Sequence, residues 1–176
     1  MLKLGIIGTG SISHEFIKAA HSTGDYQLAA VYSRTLASAE RFVQNYENTA
    51  VYTEMLDFLS SDIDVVYIAS PNSLHFNHAK VAILARKHVI VEKPAVSRPK
   101  EWRELVKLAD EHQVYLFEAA RNYHEQAFDT ISDFLKDKTV LGANFTYAKY
   151  SSKMQALLAG EQPNVFSAKF SGGALM

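Results

Sequence analysis

Short apolar runs alternating with helix-length amphipathic segments recur along most of this chain, and that rhythm restricts the fold more than any other feature. Leu2 to Ile7, Gln27 to Tyr32, Asp64 to Ala69, His88 to Pro94 and Val114 to Glu118 read as strands. Several are apolar at consecutive positions, the pattern of strands covered on both faces. Between them, the segments from Ser11 to about His21, Leu36 to Tyr46, Thr53 to Leu59, His75 to Ala85 and Pro99 to His112 carry helical spacing. Ala39, Phe42, Val43 and Tyr46 share one helix face; Ala79, Ala82 and Ile83 share another; so do Trp102, Leu105, Val106 and Ala109. Thr53 suits an N-cap and Pro99 a first helical turn. Alternation of this kind implies an α/β fold, a doubly wound parallel sheet with helices on both sides.

The rhythm changes near Arg121. Gln126 to Lys136 reads as one more helix, and from Ala143 to Tyr150 the residues Asn144, Thr146 and Ala148 alternate with Phe145, Tyr147 and Lys149, as in a half-buried antiparallel strand. Two units are predicted, residues 1–120 and residues 121–176. The second is too short to enclose a core, and Gly172-Gly173-Ala174-Leu175-Met176 reads as the opening of a further element, so the chain is expected to be incomplete in its second domain.

Composition narrows the functional classes. The chain is 48% hydrophobic and 21% charged with a formal net charge of -1, which suits a soluble globular protein and gives no attraction for nucleic acid or an acidic membrane. It has no cysteine, which removes disulfides, thiolate metal sites and cysteine nucleophiles. Leu2 to Ile7 is too short for a signal-peptide core, and no apolar run approaches the roughly 20 residues of a membrane helix. A cytoplasmic location is the expectation.

The strand ends carry the chemistry. Gly8-Thr9-Gly10-Ser11-Ile12-Ser13 lies between the first strand and the first helix, where a dinucleotide fingerprint belongs. Its first glycine permits a tight turn, its second lets a pyrophosphate approach the backbone, and the helix amino terminus supplies N–H groups. Ser13 stands where a third glycine is usual; serine is also small. After the second strand comes Tyr32-Ser33-Arg34-Thr35 instead of a carboxylate. Ser33 and Arg34 suit the 2′-phosphate of NADP better than the ribose hydroxyls of NAD. Ser70-Pro71-Asn72-Ser73 follows the Asp64–Ala69 strand and should touch the same cofactor. His75 and His78 are three apart on a helix, but no cysteine or nearby carboxylate completes a metal site, so a capping or cofactor-lining role is expected. The run His88-Val89-Ile90-Val91-Glu92-Lys93-Pro94 delivers Glu92 and Lys93 to a strand end beside that cofactor.

Gly8-Thr9-Gly10, Ser33-Arg34, Ser70-Pro71-Asn72-Ser73-Leu74-His75, Glu92-Lys93-Pro94 and the terminal Gly172 to Met176, in this order, closely resemble the glucose-fructose oxidoreductase, inositol dehydrogenase and rhizopine-catabolism (Gfo/Idh/MocA) family of NAD(P)-dependent oxidoreductases. The resemblance implies a Rossmann domain followed by an α/β domain whose open, mostly antiparallel sheet binds substrate and forms a homodimer. It implies that Lys93 contacts the reacting oxygen of a sugar, polyol or related compound beside the nicotinamide, with Pro94 preceded by a cis peptide. The family's acid/base partner lies beyond Met176, so this chain alone is expected to catalyse little. Arg121, Tyr123 and His124 are candidates to line the substrate site. The alternative class is a non-catalytic dinucleotide sensor or regulatory module, against which a lysine at the nicotinamide end argues.

Overall fold

The computed structural model describes residues 1–146, 148 and 150–170; Tyr147, Lys149 and the Gly172–Met176 motif fall outside the described residues. Strands β1 (Leu2–Ile7), β2 (Tyr26–Tyr32), β3 (Ala50–Tyr52), β4 (Val65–Ile68), β5 (His88–Glu92) and β6 (Leu116–Ala119) alternate with helices α1 (Ser11–Ser22), α2 (Leu36–Val43), α3 (Met55–Ser60), α4 (Asn72–Leu84) and α5 (Pro99–His112). They form one six-stranded sheet in the order β3-β2-β1-β4-β5-β6. Each strand pairing is parallel. The order reverses between β1 and β4, and at such a switch point the loops diverge to opposite faces and open a crevice at the carboxyl strand ends.

Strand alternation divides the core into two layers. Leu4 and Ile6 of β1 with Val65 and Tyr67 of β4 pack beside Ile17, Ala39 and Phe42 from α1 and α2. Their neighbours Ile7, Val66 and Ile68 face Phe58, Ala79, Ile83 and Leu105 from α3, α4 and α5. All four residues of β4 are buried, as a central parallel strand requires.

The departures from the sequence reading have local causes. β3 was not anticipated: three residues are too short for a periodic signature, and only pairing with β2 makes them a strand. α2 ends at Val43. Glu54, not Thr53, precedes α3, and no side chain caps it. α4 begins at Asn72, directly after Pro71, whose extended backbone serves as the boundary. Val106, expected inward, is 39% exposed.

Beyond β6 come a 3-10 turn at Arg121–His124 and helices α6 (Gln126–Leu135) and α7 (Met154–Leu158), followed by 3-10 turns at Asn164–Phe166 and Ala168–Phe170. The strand expected from Ala143 to Tyr150 is not formed by its described residues. A strand needs a ladder partner for its N–H and C=O groups, and an alternating pattern alone supplies none.

Candidate functional site at the sheet switch point

The glycine turn is shaped by contacts as tight as the sequence implied. Gly8 has φ +110°, and a Cβ there would sit 2.4 Å from the Ala69 carbonyl oxygen, so the close approach of β1 to β4 admits no side chain. Gly10 differs. It precedes α1 with ordinary extended geometry (φ -86°, ψ 171°), and a Cβ there would meet no heavy atom within 4 Å. No contact among the described residues requires glycine at that position, and the space beside it is open. Ser13 is fully buried and its hydroxyl donates to the Gly8 carbonyl at 2.7 Å, closing the turn on itself. No side chain caps α1 and no acidic residue sits in its first turn, which leaves the amino-terminal N–H groups and positive dipole end facing outward.

From this turn a cleft of about 1260 Å³ extends in both directions along the strand ends. At one end are Tyr32, Ser33, Arg34, Thr35 and Ser38; at the other are Ser70, Pro71, Asn72, Leu74, His78, Lys93 and Pro94. Asn164, Phe166 and Phe170 from the C-terminal 3-10 turns also line it. Among the described residues its lining includes the basic side chains of Arg34 and Lys93 and no carboxylate. A smaller depression of about 480 Å³ along α5, between Trp102 and Glu111, is lined by one helix alone and lies away from the strand ends.

The cleft thus gathers Gly8, Thr9, Gly10, Ser33, Arg34, Ser70, Pro71, Asn72 and Lys93. Ser11 and Ile12 occupy the adjoining first turn of α1 without lining it. The remaining candidates lie elsewhere. His75 is buried behind the wall, 1% exposed, with Nδ1 2.8 Å from the Pro94 carbonyl oxygen and Nε2 2.8 Å from that of Ser70. Glu92 turns away from the cleft: its Oε1 accepts from the buried Tyr67 hydroxyl at 2.6 Å and its Oε2 from the Lys93 N–H at 3.2 Å. Burial, and then that hydrogen bond, push the Tyr67 phenol far above its ordinary range. Arg121, Tyr123 and His124 are exposed on the 3-10 turn and do not reach the cleft, and Arg121 pairs with Glu125 at 3.2 Å.

The peptide between Lys93 and Pro94 is cis, as the family resemblance implied. Ala95 N–H donates to Glu118 Oε1 at 2.9 Å, so the segment after β5 is held from β4, α4 and β6. His78, expected to cap the helix or line the cofactor site, lines the cleft and is hydrogen-bonded to the Ser70 hydroxyl at 2.9 Å. Burial, and next the neighbouring His75, lower its pKa to about 4, so it lines the cleft as neutral imidazole. Thr35, which directly follows the Ser-Arg pair, and Ser38, four residues after Arg34, were not given a role; the Thr35 hydroxyl donates to that of Ser38 at 2.8 Å. Phe166 and Phe170 had no local signal, because only the path of the chain brings them there.

Strand order, glycine turn and switch-point cleft together define a Rossmann-type dinucleotide-binding fold. Residues 2–120 match the Gfo/Idh/MocA oxidoreductase family, described as an oxidoreductase family with an NAD-binding Rossmann fold, and the chain belongs to that family. It is 39% identical to the uncharacterized oxidoreductase YgjR of Escherichia coli and 35% identical to the NADP(+)-dependent scyllo-inositol 2-dehydrogenase IolU of Bacillus subtilis. Each match takes in 100% of this chain and 54% of the relative, so the chain spans about half the length of these relatives. Among solved structures, KijD10, a 3-ketoreductase from Actinomadura kijaniata crystallised with NADP and TDP-benzene, aligns with a TM-score of 0.72 at 25% identity. That alignment covers 77% of this chain and 42% of the other. No described helix is long and apolar enough to cross a membrane.

Proposed function

We propose that this chain carries the cofactor-binding part of an NADP-dependent oxidoreductase that acts on a sugar, polyol or related hydroxyl or carbonyl compound. The observation that carries the reading is a switch-point cleft with a basic side chain at each end and no carboxylate in its lining among the described residues. A dinucleotide bearing a 2′-phosphate is a polyanion, complementary in charge to that lining. In this reading the glycine turn and the uncapped start of α1 receive the pyrophosphate, Ser33 and Arg34 after the carboxylate-free end of β2 bind the 2′-phosphate, and Thr35 and Ser38 add hydroxyls there. The bound cofactor supplies the hydride acceptor or donor. Lys93, exposed at the other end and without an ion-pair partner among the described residues, hydrogen-bonds the substrate oxygen and moves its proton. Residues 1–120 are the dinucleotide unit and residues 121–176 begin the substrate and dimerisation unit. The names of IolU and KijD10 support both the cofactor and the substrate class.

Calorimetric titration with NADP and NAD tests this. NADP binds more tightly, and Arg34→Ala removes about 1.5–3 kcal/mol from NADP binding, roughly 10- to 150-fold in Kd, while changing NAD little. Tighter binding of NAD overturns the NADP assignment, and no saturable binding of either overturns the reading as a whole.

A further inference from the structure

The residue proposed to meet substrate sits on a segment held by hydrogen bonds on both sides, and the side chains that hold it do not line the cleft. On one side of Lys93, Glu92 accepts hydrogen bonds from both the Tyr67 hydroxyl and Lys93's own N–H. Tyr67 is 1% exposed and Phe16 stacks on it with ring centroids 3.7 Å apart, so this anchor reaches into the α1 face of the core. On the other side, His75 holds the Pro94 carbonyl while its second ring nitrogen reaches the Ser70 carbonyl. Carbonyl oxygens only accept, so each contact is a hydrogen bond only where that ring nitrogen bears its hydrogen. One buried side chain therefore lies between the loop after β4 and the loop after β5, both of which line the cleft, with its Nδ1–H tautomer donating to Pro94 and Nε2 packed against the Ser70 carbonyl. A lysine has four rotatable side-chain bonds, and its reach toward a reacting atom is only as well defined as the backbone it leaves from.

We propose that His75 and the Tyr67–Glu92 pair are positioning residues. They immobilise the backbone on both sides of Lys93 and fix its ammonium at the nicotinamide end of the cleft, without touching cofactor or substrate themselves. This rests on the dinucleotide reading above and assigns Glu92 and His75 a task different from cofactor contact.

The test uses the 176-residue chain with its lysines reductively methylated with 13C, the Lys93 signal being assigned by its loss in Lys93→Arg, together with backbone amide signals of Gly8 to Gly10. In the unsubstituted protein NADP shifts both sets saturably. In His75→Gln and in Tyr67→Phe the glycine-turn shifts persist with Kd changed by no more than about threefold, whereas the Lys93 response falls by about half or more, as a displacement on the order of 1 Å at the reacting group would give. Tyr67→Phe removes only a hydroxyl, so it decides the matter even where His75→Gln does not fold. A Lys93 response equal to that of the parent in the folded variants overturns the positioning role and leaves the cofactor reading standing. Glycine-turn shifts without any Lys93 response in the parent protein also overturn it. Absence of both overturns the dinucleotide reading and this proposal with it.

Discussion

The two glycines of the first turn offer a separation of folding from binding within three residues. Gly8→Ala places a methyl group 2.4 Å from the Ala69 carbonyl oxygen at a backbone φ of +110°, so β1 and β4 must move apart at the centre of the sheet. Backbone strain of this kind costs on the order of 1–3 kcal/mol and forced overpacking a similar amount, about 3 kcal/mol or more together. For a chain of this size that lowers Tm by roughly 10 °C. Gly10→Ala meets no heavy atom within 4 Å and keeps an allowed backbone. It loses about 0.5–1 kcal/mol as an N-cap and gains about 0.4–1 kcal/mol from a less free unfolded chain, so stability stays within about 0.5 kcal/mol. The new methyl occupies the cleft where the proposed reading puts the pyrophosphate. Losing a charge-assisted hydrogen bond there costs about 1.5–3 kcal/mol, a 10- to 150-fold weaker Kd. Thermal unfolding and NADP titration of both variants decide the matter. Gly10→Ala with unchanged stability and unchanged affinity refutes the argument that its open space is reserved for ligand.

Two further outcomes follow from the packing. His78 has its pKa lowered from 6.5 to about 4, so the unfolded chain binds the extra proton between those values. Stability is therefore fully present above about pH 6.5 and falls as pH drops toward 4, by about 2 kcal/mol once partial exposure is allowed for. Denaturant unfolding of the parent and of His78→Gln at pH 7.5 and 4.5 measures the difference; equal losses in both proteins contradict the assignment. Gly5→Ala puts a methyl 2.7 Å from the Phe58 ring and 2.8 Å from Ile63 Cδ1, so it destabilises by about 1–3 kcal/mol through overpacking. A midpoint in urea equal to the parent's would show that α3 yields freely.

How far the site could be read from sequence depended on whether a residue's direction follows from a local period. Val65, Val66, Tyr67 and Ile68 announced a buried strand because parallel central strands are apolar on both faces. The inward turn of His75 was legible too: Ala79 and Ala82 follow it at helical spacings of four and seven, so it shares their buried stripe, while His78 falls with Leu74 on the face that meets the cleft. Glu92 was readable in the same way, since Ile90, two residues earlier, packs on the α1 and α2 face where Tyr67 lies. Its neighbour Lys93 in sequence suggested a shared role that strand alternation denies. Arg121, Tyr123 and His124 were chosen by residue type in a segment without periodicity, and type alone does not aim a side chain. Phe166 and Phe170 were beyond reach for a different reason, as their place in the cleft wall depends on long-range chain path.

Ser13 gives the turn one more property. With its hydroxyl bonded to the Gly8 carbonyl, the loop that would embrace a pyrophosphate is held in shape before any ligand arrives. Ordering a free loop residue costs on the order of 1–2 kcal/mol in conformational entropy, and that loss falls on folding here instead of on association. The departure from the three-glycine pattern is thus a form of preorganisation: a little backbone freedom is surrendered once, at folding, and each later encounter with a dinucleotide begins from a receptor already set.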